Sequence, residues 1–577
     1  MSRVLMLLLW LAGFAMLLLP LSPQESWAFP GETRRANVDS AEVQATGGTS
    51  SNAKFSGSGL FIVFESLATN LVVGDSNNFQ DIFIRDRQTG TTTRVSVNTT
   101  GGNANQASYN PSVSADGRYV AFDSSASNLV AGDAGSQDVF VRDLQTNTTT
   151  RVSVDSLGNP GIGTSSNPSI SANGRYVAFQ SSASNLVPGD TNGHWDIFVH
   201  DRQTGTTSRA NVHTNGTQGD STSQMPSISG DGRYVAFESY ATTLVDGDTN
   251  NLRDIFVRDR VENTTTRINV DVVFGDQSNS DSYNATISAD GRFVAYQSAA
   301  NNLVVGDTNS AWDVFVYDLQ QHTAVIASVA SDGVQGNSTS LNPSLSADGR
   351  YVAFDSASSN LIFRSAGGWD VYVRDLARGE TIQVSRSTAG VQGNSSSQFP
   401  SISGGGRRVA FQSIATNLIA NDTNGLQDIF THHIGFPARP LGDYDGDGKI
   451  DIAIYRPSTG GWWIQKSSDG QVLYIPWGSP ADVNVPGDYD GDGKTDAAIW
   501  RPDTGAWWIL KSSDQQALYK PFGSSTDIPV PADYDHDGKT DVAVFRPETG
   551  MWWIMQSSDD AVVSTGWGSP GDKPVNR

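Results

Sequence analysis

The sequence contains two sets of internal repeats, and a chain of this kind folds as a row of similar units that pack on their neighbours. The first set is marked by a motif that reads Asp-Gly-Arg-Tyr-Val-Ala-Phe at residues 116–122 and recurs every 57 to 59 residues. A second motif, in which Asp precedes an apolar and an aromatic residue, follows each copy. The glycines of the first motif are Gly59, Gly117, Gly174, Gly232, Gly291, Gly349 and Gly406. Seven copies of both motifs predict seven units over residues 29–435.

Each unit divides into four short segments of alternating polarity, the pattern of half-buried β-strands. In the third copy these segments are 168–171, 176–181, 197–201 and 207–212. Four antiparallel strands make one blade of a β-propeller, so the sequence predicts an all-β fold with a seven-bladed propeller. Over residues 30–435 the two motifs resemble the repeats of the TolB-type, WD40-like propeller family, and the resemblance implies the same fold.

The two ends of the first array complement each other. The seventh copy stops at residues 428–433 without the fourth segment that completes its neighbours, whereas residues 33–38 match that fourth segment and precede the first copy. We therefore expect the N-terminal strand 33–38 to complete the last blade. Closure of this kind leaves no free sheet edge.

A second array occupies residues 436–577 and repeats every 45 residues. Each repeat contains a loop that reads Asp-Tyr-Asp-x-Asp-Gly-Lys-x-Asp, where x varies between repeats. The carboxylates of this loop stand at positions 1, 3, 5 and 9. Ca²⁺ takes about six to eight oxygen ligands, and the main-chain carbonyl of the Lys at position 7 can supply one of them. The sequence thus predicts three calcium sites: Asp443, Asp445, Asp447, Lys449 and Asp451; Asp488, Asp490, Asp492, Lys494 and Asp496; Asp533, Asp535, Asp537, Lys539 and Asp541.

These loops resemble the FG-GAP or VCBS repeats of integrin α-subunit propellers, and the resemblance covers residues 441–577. It implies calcium-stabilised blades used in adhesion or surface recognition. Three blades cannot close a ring, so the array packs on the first propeller, self-associates, or belongs to a longer chain. Each repeat also carries a tryptophan pair on a predicted strand, for which burial in the core is the default and a sugar-binding platform the alternative.

All the long loops of the first propeller are expected on one side, here named the long-loop face. The turns between first and second strands and between third and fourth strands are tight and define the opposite, tight-turn face. Five long loops contain Asp-x-Asn-x-x-x-Asp, which suits either a weak cation site or Asx-turns, with the turn favoured. These residues are Asp75, Asn77 and Asp81; Asp190, Asn192 and Asp196; Asp248, Asn250 and Asp254; Asp307, Asn309 and Asp313; Asp422, Asn424 and Asp428.

Residues that break the repeat on these loops are candidates for ligand binding, because rigid scaffolds present function on loops. The position before the repeated Asp is a tryptophan in three copies, and an exposed indole can stack on a sugar or contact a peptide. Packing between blades is the alternative. The candidate ligand-binding residues are His194, Trp195, Arg253, Trp312 and Trp369.

Residues 1–28 read as a secretory signal peptide cleaved after Ala28, with a basic Arg3 followed by an apolar run. An uncleaved anchor helix is the weaker alternative, because the run is short for a membrane span. We therefore expect an exported protein, extracellular, at the cell surface or periplasmic, with no membrane span after cleavage. The net charge of −23 disfavours nucleic acid as a partner.

The enzymatic motifs are missing from the sequence: it has no Gly-x-Ser-x-Gly, no His-Glu-x-x-His, no phosphate-binding loop and no cysteine. The favoured function is a secreted or cell-surface binding or adhesion protein that is not a catalyst, with a protein or glycan ligand. The alternatives are a propeller-type carbohydrate-active enzyme or peptidase, and a purely structural envelope protein. A hidden pair of catalytic carboxylates on separate blades would distinguish the enzyme.

Overall fold

The computed structural model describes residues 31–133, 135–362, 368–434, 441–446, 449–534, 539–557 and 560–574. Within these ranges the regular structure consists of 39 β-strands and no helix. A helix long and apolar enough to cross a membrane is therefore not found in the described residues. The predicted signal peptide, residues 1–28, lies outside them.

Seven four-stranded antiparallel sheets follow one another along the first array, which confirms an all-β propeller architecture and is compatible with the predicted seven blades. The strand β1 (Thr33–Arg35) precedes the first complete blade. Blades one to three contain β2 (Ser50–Phe55), β3 (Phe61–Ser66), β4 (Asp81–Asp86) and β5 (Thr91–Arg94); β6 (Ser108–Val113), β7 (Tyr119–Ser124), β8 (Asp138–Asp143) and β9 (Thr148–Arg151); β10 (Ser165–Ile170), β11 (Tyr176–Ser181), β12 (Asp196–Asp201) and β13 (Thr206–Arg209).

Blades four to seven repeat the same order. They contain β14 (Ser223–Ile228), β15 (Tyr234–Ser239), β16 (Asp254–Asp259) and β17 (Thr264–Arg267); β18 (Ser282–Ile287), β19 (Phe293–Ser298), β20 (Asp313–Asp318) and β21 (Thr323–Ile326); β22 (Ser340–Leu345), β23 (Tyr351–Ser356), β24 (Asp370–Asp375) and β25 (Glu380–Gln383); β26 (Ser397–Ile402), β27 (Arg408–Ser413) and β28 (Asp428–His433).

The N-terminal strand completes the seventh blade. Strand β1 pairs antiparallel with β28, with Arg34 opposite Thr431, so the strand order of this blade is β1-β28-β27-β26. The paired strand is shorter than the expected 33–38, because after Arg35 the chain turns and Val38 forms an isolated bridge with Gln44. The main-chain amide of Ala36 still donates to the carbonyl of Ile429.

The hydrophobic core lies between blades rather than within them. One cluster, for example, joins Val139 and Val141 of blade two to Phe179 and Phe198 of blade three, all buried. Strands of this propeller alternate so that each face of a blade contributes to a different cluster. Each blade is therefore stable only against its neighbours, which makes closure of the row important.

The Asp-Gly-Arg-Tyr motif has a physical role in this packing. Gly174 has a positive φ of 71°, and a Cβ placed there would overlap the ring of Tyr119 in the preceding blade. Only glycine both adopts this turn without strain and leaves room for the ring. The following Arg175 donates two hydrogen bonds to the carboxylate of Asp201 and so ties the two tight turns of the blade together.

The second array forms three further sheets in the described residues. They contain β29 (Ile452–Arg456), β30 (Gly461–Gln465) and β31 (Val472–Pro476); β32 (Val483–Asn484), β33 (Ala497–Arg501), β34 (Ala506–Leu510) and β35 (Ala517–Pro521); β36 (Ile528–Pro529), β37 (Val542–Arg546), β38 (Met551–Met555) and β39 (Val562–Gly566). The first sheet has three strands and the other two have four.

A substitution at Arg35 tests the closure of the first propeller. Its guanidinium lies 2.7 Å from the Asp422 carboxylate and 3.1 Å from that of Asp428, and all three side chains are buried. Arg35→Ala leaves two buried carboxylates without their cation, so we expect a loss of about 3–5 kcal/mol in the free energy of unfolding. Urea unfolding followed by tryptophan fluorescence measures this loss.

The neighbouring Arg34 is the matched control. Its side chain is 47% exposed and its ion pair with Glu32 lies at the surface, so Arg34→Ala should cost less than about 1 kcal/mol. Equal losses for the two variants would contradict a closing role for the buried arginine.

Candidate functional site

The tryptophans predicted for the long-loop face stand at the start of third strands. Trp195, Trp312 and Trp369 are half-buried, whereas His194 is exposed. Their main-chain carbonyls accept hydrogen bonds from the serine amides that open the next blade's first strand, at 2.7 to 2.8 Å. The structure thus fixes the main chain of this position between blades and leaves part of each indole accessible.

Arg253 occupies the same position in blade four and belongs to an aromatic cluster. Its guanidinium lies 4.5 Å from the ring centroids of both Tyr240 and Tyr283, and its Nη1 donates to Glu238 at 2.6 Å. Tyr283 in turn contacts Trp312, with ring centroids 5.3 Å apart. The predicted residues Arg253 and Trp312 are therefore brought together through Tyr283, which the sequence reasoning had not selected.

The acidic long loops of the first propeller are held by arginines from fourth strands. Arg94, for example, lies 2.9 Å from Asp75 and 3.5 Å from Asp81, and Asn77 donates from its amide to Asp81. The same pairing joins Asp133 to Arg151, Asp190 to Arg209, Asp248 to Arg267 and Asp422 to Arg35. These contacts neutralise the loop acids within the protein, and the geometry fits the turn-forming alternative.

Blade five lacks this arginine, because Ile326 stands at its position. There the amide of Gln335 donates to both Asp307 and Asp313, at 2.8 and 2.9 Å. Burial raises the pKa of Asp313 to about 6. In blade five a neutral amide thus takes the place of the arginine, so the loop carboxylates of this blade have less positive charge beside them than those of the other four loops.

The innermost strands of all seven blades enclose a central cavity of about 660 Å³. Its lining is mainly Asn, Pro and Ser, and Lys54 is the one charged side chain among the lining residues in the described part of the chain. At the equivalent position the other blades carry Ser, or Thr286 in blade five, and the Ser112 hydroxyl accepts the amide of Ile170 in the next blade. Enclosure by the cavity walls lowers the pKa of Lys54.

A ring of hydrogen bonds between blades surrounds the long-loop end of this cavity. Each inner strand has a bulge at a residue with positive φ, such as Asn110 at 52°, whose amide turns away from its own sheet. A polar side chain on the second strand of the preceding blade accepts that amide. The seven acceptors are Glu65, Asp123, Gln180, Glu238, Gln297, Asp355 and Gln412.

Sequence reasoning did not identify this ring. The repeated Ser-x-Asn-Pro-Ser of the first strands was the available signal, but the expected strand began at Pro168 whereas β10 begins at Ser165 and includes the bulge. The expected strand therefore started past the bulge, and no role was predicted for the acceptor position on the second strand.

The first acidic loop of the second array brings three carboxylates together. One oxygen each of Asp443, Asp445 and Asp451 lie within 4.8 Å of one another, and Asp443 and Asp451 are buried. Both oxygens of Asp451 also accept main-chain amides: its Oδ2 accepts that of Tyr444 at 2.7 Å and its Oδ1 accepts that of Ser467. Asp447 lies outside the described residues.

The second loop repeats this geometry with Asp488, Asp490 and Asp496. Burial raises the pKa of Asp488 to about 6 and the pKa of Asp496 to about 7. Asp492 is also described, and its Oδ1 accepts the amide of Lys494, so the side chain turns back toward the loop. Clustered buried carboxylates with raised pKa values are the donor set that a hard divalent cation would neutralise, so these residues fit Ca²⁺.

In the third loop, Asp535 and Asp537 lie outside the described residues. The last carboxylate is nevertheless placed as in the other two loops: Asp541 is buried, and its Oδ2 accepts the amide of Tyr534 at 2.7 Å. Asp533 and Lys539 flank the gap.

The second loop also lies against the first propeller. Asp488 Oδ2 is 3.7 Å from the guanidinium of Arg378, which is in the tight turn between β24 and β25. The side chain of Arg350 on the neighbouring turn of this blade is 14% exposed, compared with 35% for its counterpart Arg175. The array therefore covers the tight-turn face of blade six.

The tryptophan pairs divide between two environments. The first members, Trp462 and Trp507, are buried, as expected for core residues. Trp463, however, is 37% exposed, so burial of both members is wrong for the first repeat. The reason is that adjacent strand residues face opposite sides, and on its side Trp463 packs on Tyr474 and Arg456 of its own repeat, which leave more than a third of it exposed.

Comparisons with known proteins agree with this architecture. The FG-GAP-like repeat family matches residues 488–544. Similar solved structures include TolB from Acinetobacter baumannii, with 16% identity, a TM-score of 0.32 and coverage of 53% of this chain and 59% of that one. The chain therefore spans less than two thirds of that TolB. No curated protein matches the chain.

Two other solved propellers are similar at low identity. Oligogalacturonate lyase in complex with manganese has 13% identity and a TM-score of 0.44, covering 70% of this chain and 98% of that one. The β-propeller domain of the Trilobed protease from Pyrococcus furiosus has 12% identity and a TM-score of 0.40, covering 67% and 95%. The predicted order, a propeller followed by FG-GAP-like repeats, is confirmed.

Asp355 provides a pH-dependent test of the acceptor ring. Its Oδ2 accepts the amide of Phe399 at 2.8 Å and that of the Asn342 side chain at 2.9 Å, but its buried Oδ1 has no hydrogen-bond partner among the described residues. Burial raises the pKa of Asp355 to about 7. Since an unfolded Asp has a pKa near about 4, the folded state holds an extra proton between these values, and stability falls as pH rises through this window.

Asp355→Asn keeps an acceptor and removes the charge, so we expect it to be more stable than wild type by about 1–3 kcal/mol at pH 8, with no gain near pH 4. Asp123→Asn is the graded comparison: burial raises the pKa of Asp123 to about 6, and both of its oxygens already accept hydrogen bonds, including one from Gln137 at 2.6 Å, so we expect a smaller gain at pH 8. Thermal unfolding at several pH values measures both. A loss of stability at pH 8 in Asp355→Asn would show that the charged form is the one the ring requires.

Proposed function

We propose that this protein is an exported, calcium-stabilised recognition module that binds a protein or glycan ligand on the long-loop face of its propeller without transforming it. The observation that carries the proposal is the concentration of repeat-breaking aromatic and charged residues on this face. The equivalent position in other blades is an ordinary glutamine, as at Gln80 and Gln137.

The two faces of the propeller differ in what they offer a ligand. The tight-turn face repeats one arginine–aspartate pair, as in Arg118–Asp143 and Arg233–Asp259, and the second array covers it at blade six. Uniform, internally paired residues offer little specificity.

The long-loop face is more varied. First strands begin on this side, and there Tyr109, Met225 and Phe399 are 39%, 39% and 47% exposed around the cavity mouth. Beside them lies the cluster of Tyr240, Arg253, Tyr283 and Trp312. Rigid aromatic side chains around a preformed depression suit a glycan or an extended peptide.

Calcium would have a structural role in the second array. The carboxylates of Asp443, Asp445 and Asp451 would hold one ion, those of Asp488, Asp490 and Asp496 a second, and Asp533 and Asp541 belong to a third. Ca²⁺ supplies the positive charge that these loops otherwise lack. The expected affinities are those of extracellular modules, roughly 10⁻⁴ to 10⁻³ M.

The proposed location rests on residues 1–28, which have the pattern of a cleaved signal peptide. It is consistent with loops of low calcium affinity, because extracellular calcium is abundant. The net charge of −23 argues against nucleic acid as the ligand.

Calcium titration of the mature protein by calorimetry should give about three ions per chain, and a chelator should lower the melting temperature. Asp445→Ala and Asp490→Ala should each remove one ion, because each deletes one corner of a carboxylate cluster. The control is Asp469→Ala, since Asp469 pairs with Lys466 outside the loops. No calcium binding, or equal binding by all variants, would contradict the proposal.

Ligand binding can be sought with a glycan array and a peptide library probed in calcium, with released products followed by mass spectrometry. Trp195→Ala and Trp312→Ala should weaken any binding at least about tenfold with a small change in melting temperature. Arg175→Ala on the tight-turn face is the matched surface control and should bind normally.

Trp507→Ala marks the behaviour of a core tryptophan and should cost about 3–5 kcal/mol of stability. If Trp195→Ala and Trp312→Ala behave like Trp507→Ala and bind normally, the long-loop face is not the binding site. Cleavage of a bound glycan or peptide would replace the binding proposal with an enzymatic function.

A further inference from the structure

The three repeats of the second array are joined by one recurring contact. Three buried residues of one repeat pack against two side chains of the next. At the first interface Tyr444, Trp462 and Ile464 contact Ala497 and Ile499, which lie on β33 of the second repeat. The second interface has the same composition, with Tyr489, Trp507 and Ile509 against Val542 and Val544. Both internal interfaces are thus formed by the same two sets of side chains, one from each repeat. Each end of the array carries one of these two sets.

Two polar contacts accompany this packing. The amide of Thr495 donates to the carbonyl of Asp443 in the preceding loop at 2.7 Å, and Thr540 repeats the bond to Asp488 at 2.7 Å. The indole Nε1 of Trp477 reaches across the first interface to the carbonyl of Trp508 at 3.1 Å. Apolar packing and the loop-to-loop bond therefore occur at both interfaces, whereas the indole bond belongs to the first, because Phe522 stands in the second repeat where Trp477 stands in the first.

The first repeat presents the leading half of this interface to solvent. Ile452 and Ile454 stand where Ala497 and Ile499 stand in the second repeat, yet they are 72% and 52% exposed, whereas Ala497 and Ile499 are 2% and 1% exposed. Trp463, Val472 and Tyr474 on the neighbouring strands are 37%, 61% and 46% exposed. We name these five residues the leading face. So large a group of exposed apolar side chains is typical of an interaction surface.

The third repeat presents the other half. Its cluster of Val530, Ala543, Phe545 and Ile554, flanked by Tyr534 and Trp552, contains no residue from a following repeat in the described part of the chain. Trp567 stands where Trp477 stands in the first repeat, and it is 80% exposed. We name Tyr534, Trp552, Ile554 and Trp567 the trailing face.

We infer that the second array associates head to tail with a second copy of this chain, the trailing face of one copy seating on the leading face of the other. The internal interfaces supply the template: Trp567 takes the place of Trp477, and Ile452 and Ile454 take the places of Ala497 and Ile499. The described residues of two copies contribute six FG-GAP-like blades, within the roughly four to eight blades of closed propellers, so two such contacts can close a dimer.

Sedimentation velocity of the mature protein in calcium, across the micromolar range, tests this inference. Wild type should have twice the monomer mass. Ile454→Glu on the leading face and Trp567→Ala on the trailing face should each raise the dissociation constant at least about tenfold. Because both side chains are exposed, calcium stoichiometry should be unchanged, and so should the melting temperature at protein concentrations low enough for wild type to be monomeric as well. The matched Ile499→Glu in an internal interface should lower the melting temperature under the same conditions.

Mixing the two variants identifies the geometry. Each variant retains the face that the other has lost, so a mixture of Ile454→Glu and Trp567→Ala should form a mixed dimer held by one intact contact. A like-with-like interface could not be restored in this way, and a mixture that stays monomeric would overturn the head-to-tail arrangement. A monomeric wild type would overturn self-association, and a lower melting temperature of monomeric Ile454→Glu would assign the leading face to the chain's own first propeller.

Discussion

The first propeller depends on one hydrogen bond repeated at every blade boundary. A bulge in each inner strand turns a main-chain amide out of its own sheet, and a second-strand side chain of the preceding blade accepts it, as Glu65 does for Asn110 at 2.7 Å. A buried amide without a partner is costly, so each blade requires its neighbour. Closure follows from the same requirement, because the amide of Asn52 in blade one is accepted by Gln412 of blade seven.

This constraint explains which positions vary. The contact needs an acceptor oxygen rather than a charge, so carboxylates and amides interchange there, as Asp123 and Gln180 do in successive blades. Where the acceptor is a carboxylate, the residue before the third strand commonly donates to it: Gln137 donates to Asp123, and Arg253 to Glu238. The residue before the third strand therefore varies partly with the ring acceptor to which it donates. The same position supplies the aromatic surface that is proposed to bind ligand.

The blade pattern, the strand types and the displaced closing strand were predictable because they follow from local motifs of fixed period. The repeated aspartates, such as Asp81, could be recognised in the sequence, but their ion pairs could not. The arginine that pairs with Asp81 is on another strand. The acceptor ring could not be read from one repeat, because its donor and acceptor are on different blades and, at six of the seven boundaries, 44 to 46 residues apart. For the same reason the exposure of Trp463 was missed: burial of a repeat depends on whether a neighbour exists.

The two arrays meet the need for neighbours differently. In the first, a strand from the other end of the chain fills the last blade, so both terminal units are covered. In the second, Asp443 offers its carboxylate to the acidic loop and its carbonyl to the amide of Thr495 in the next repeat. The conformation of the loop and the position of the next repeat are therefore linked through Asp443. An ion that holds the loop in place would also hold the next blade in place. Within the described residues, the leading and trailing faces of the array are complementary because every internal contact is made from the same two halves.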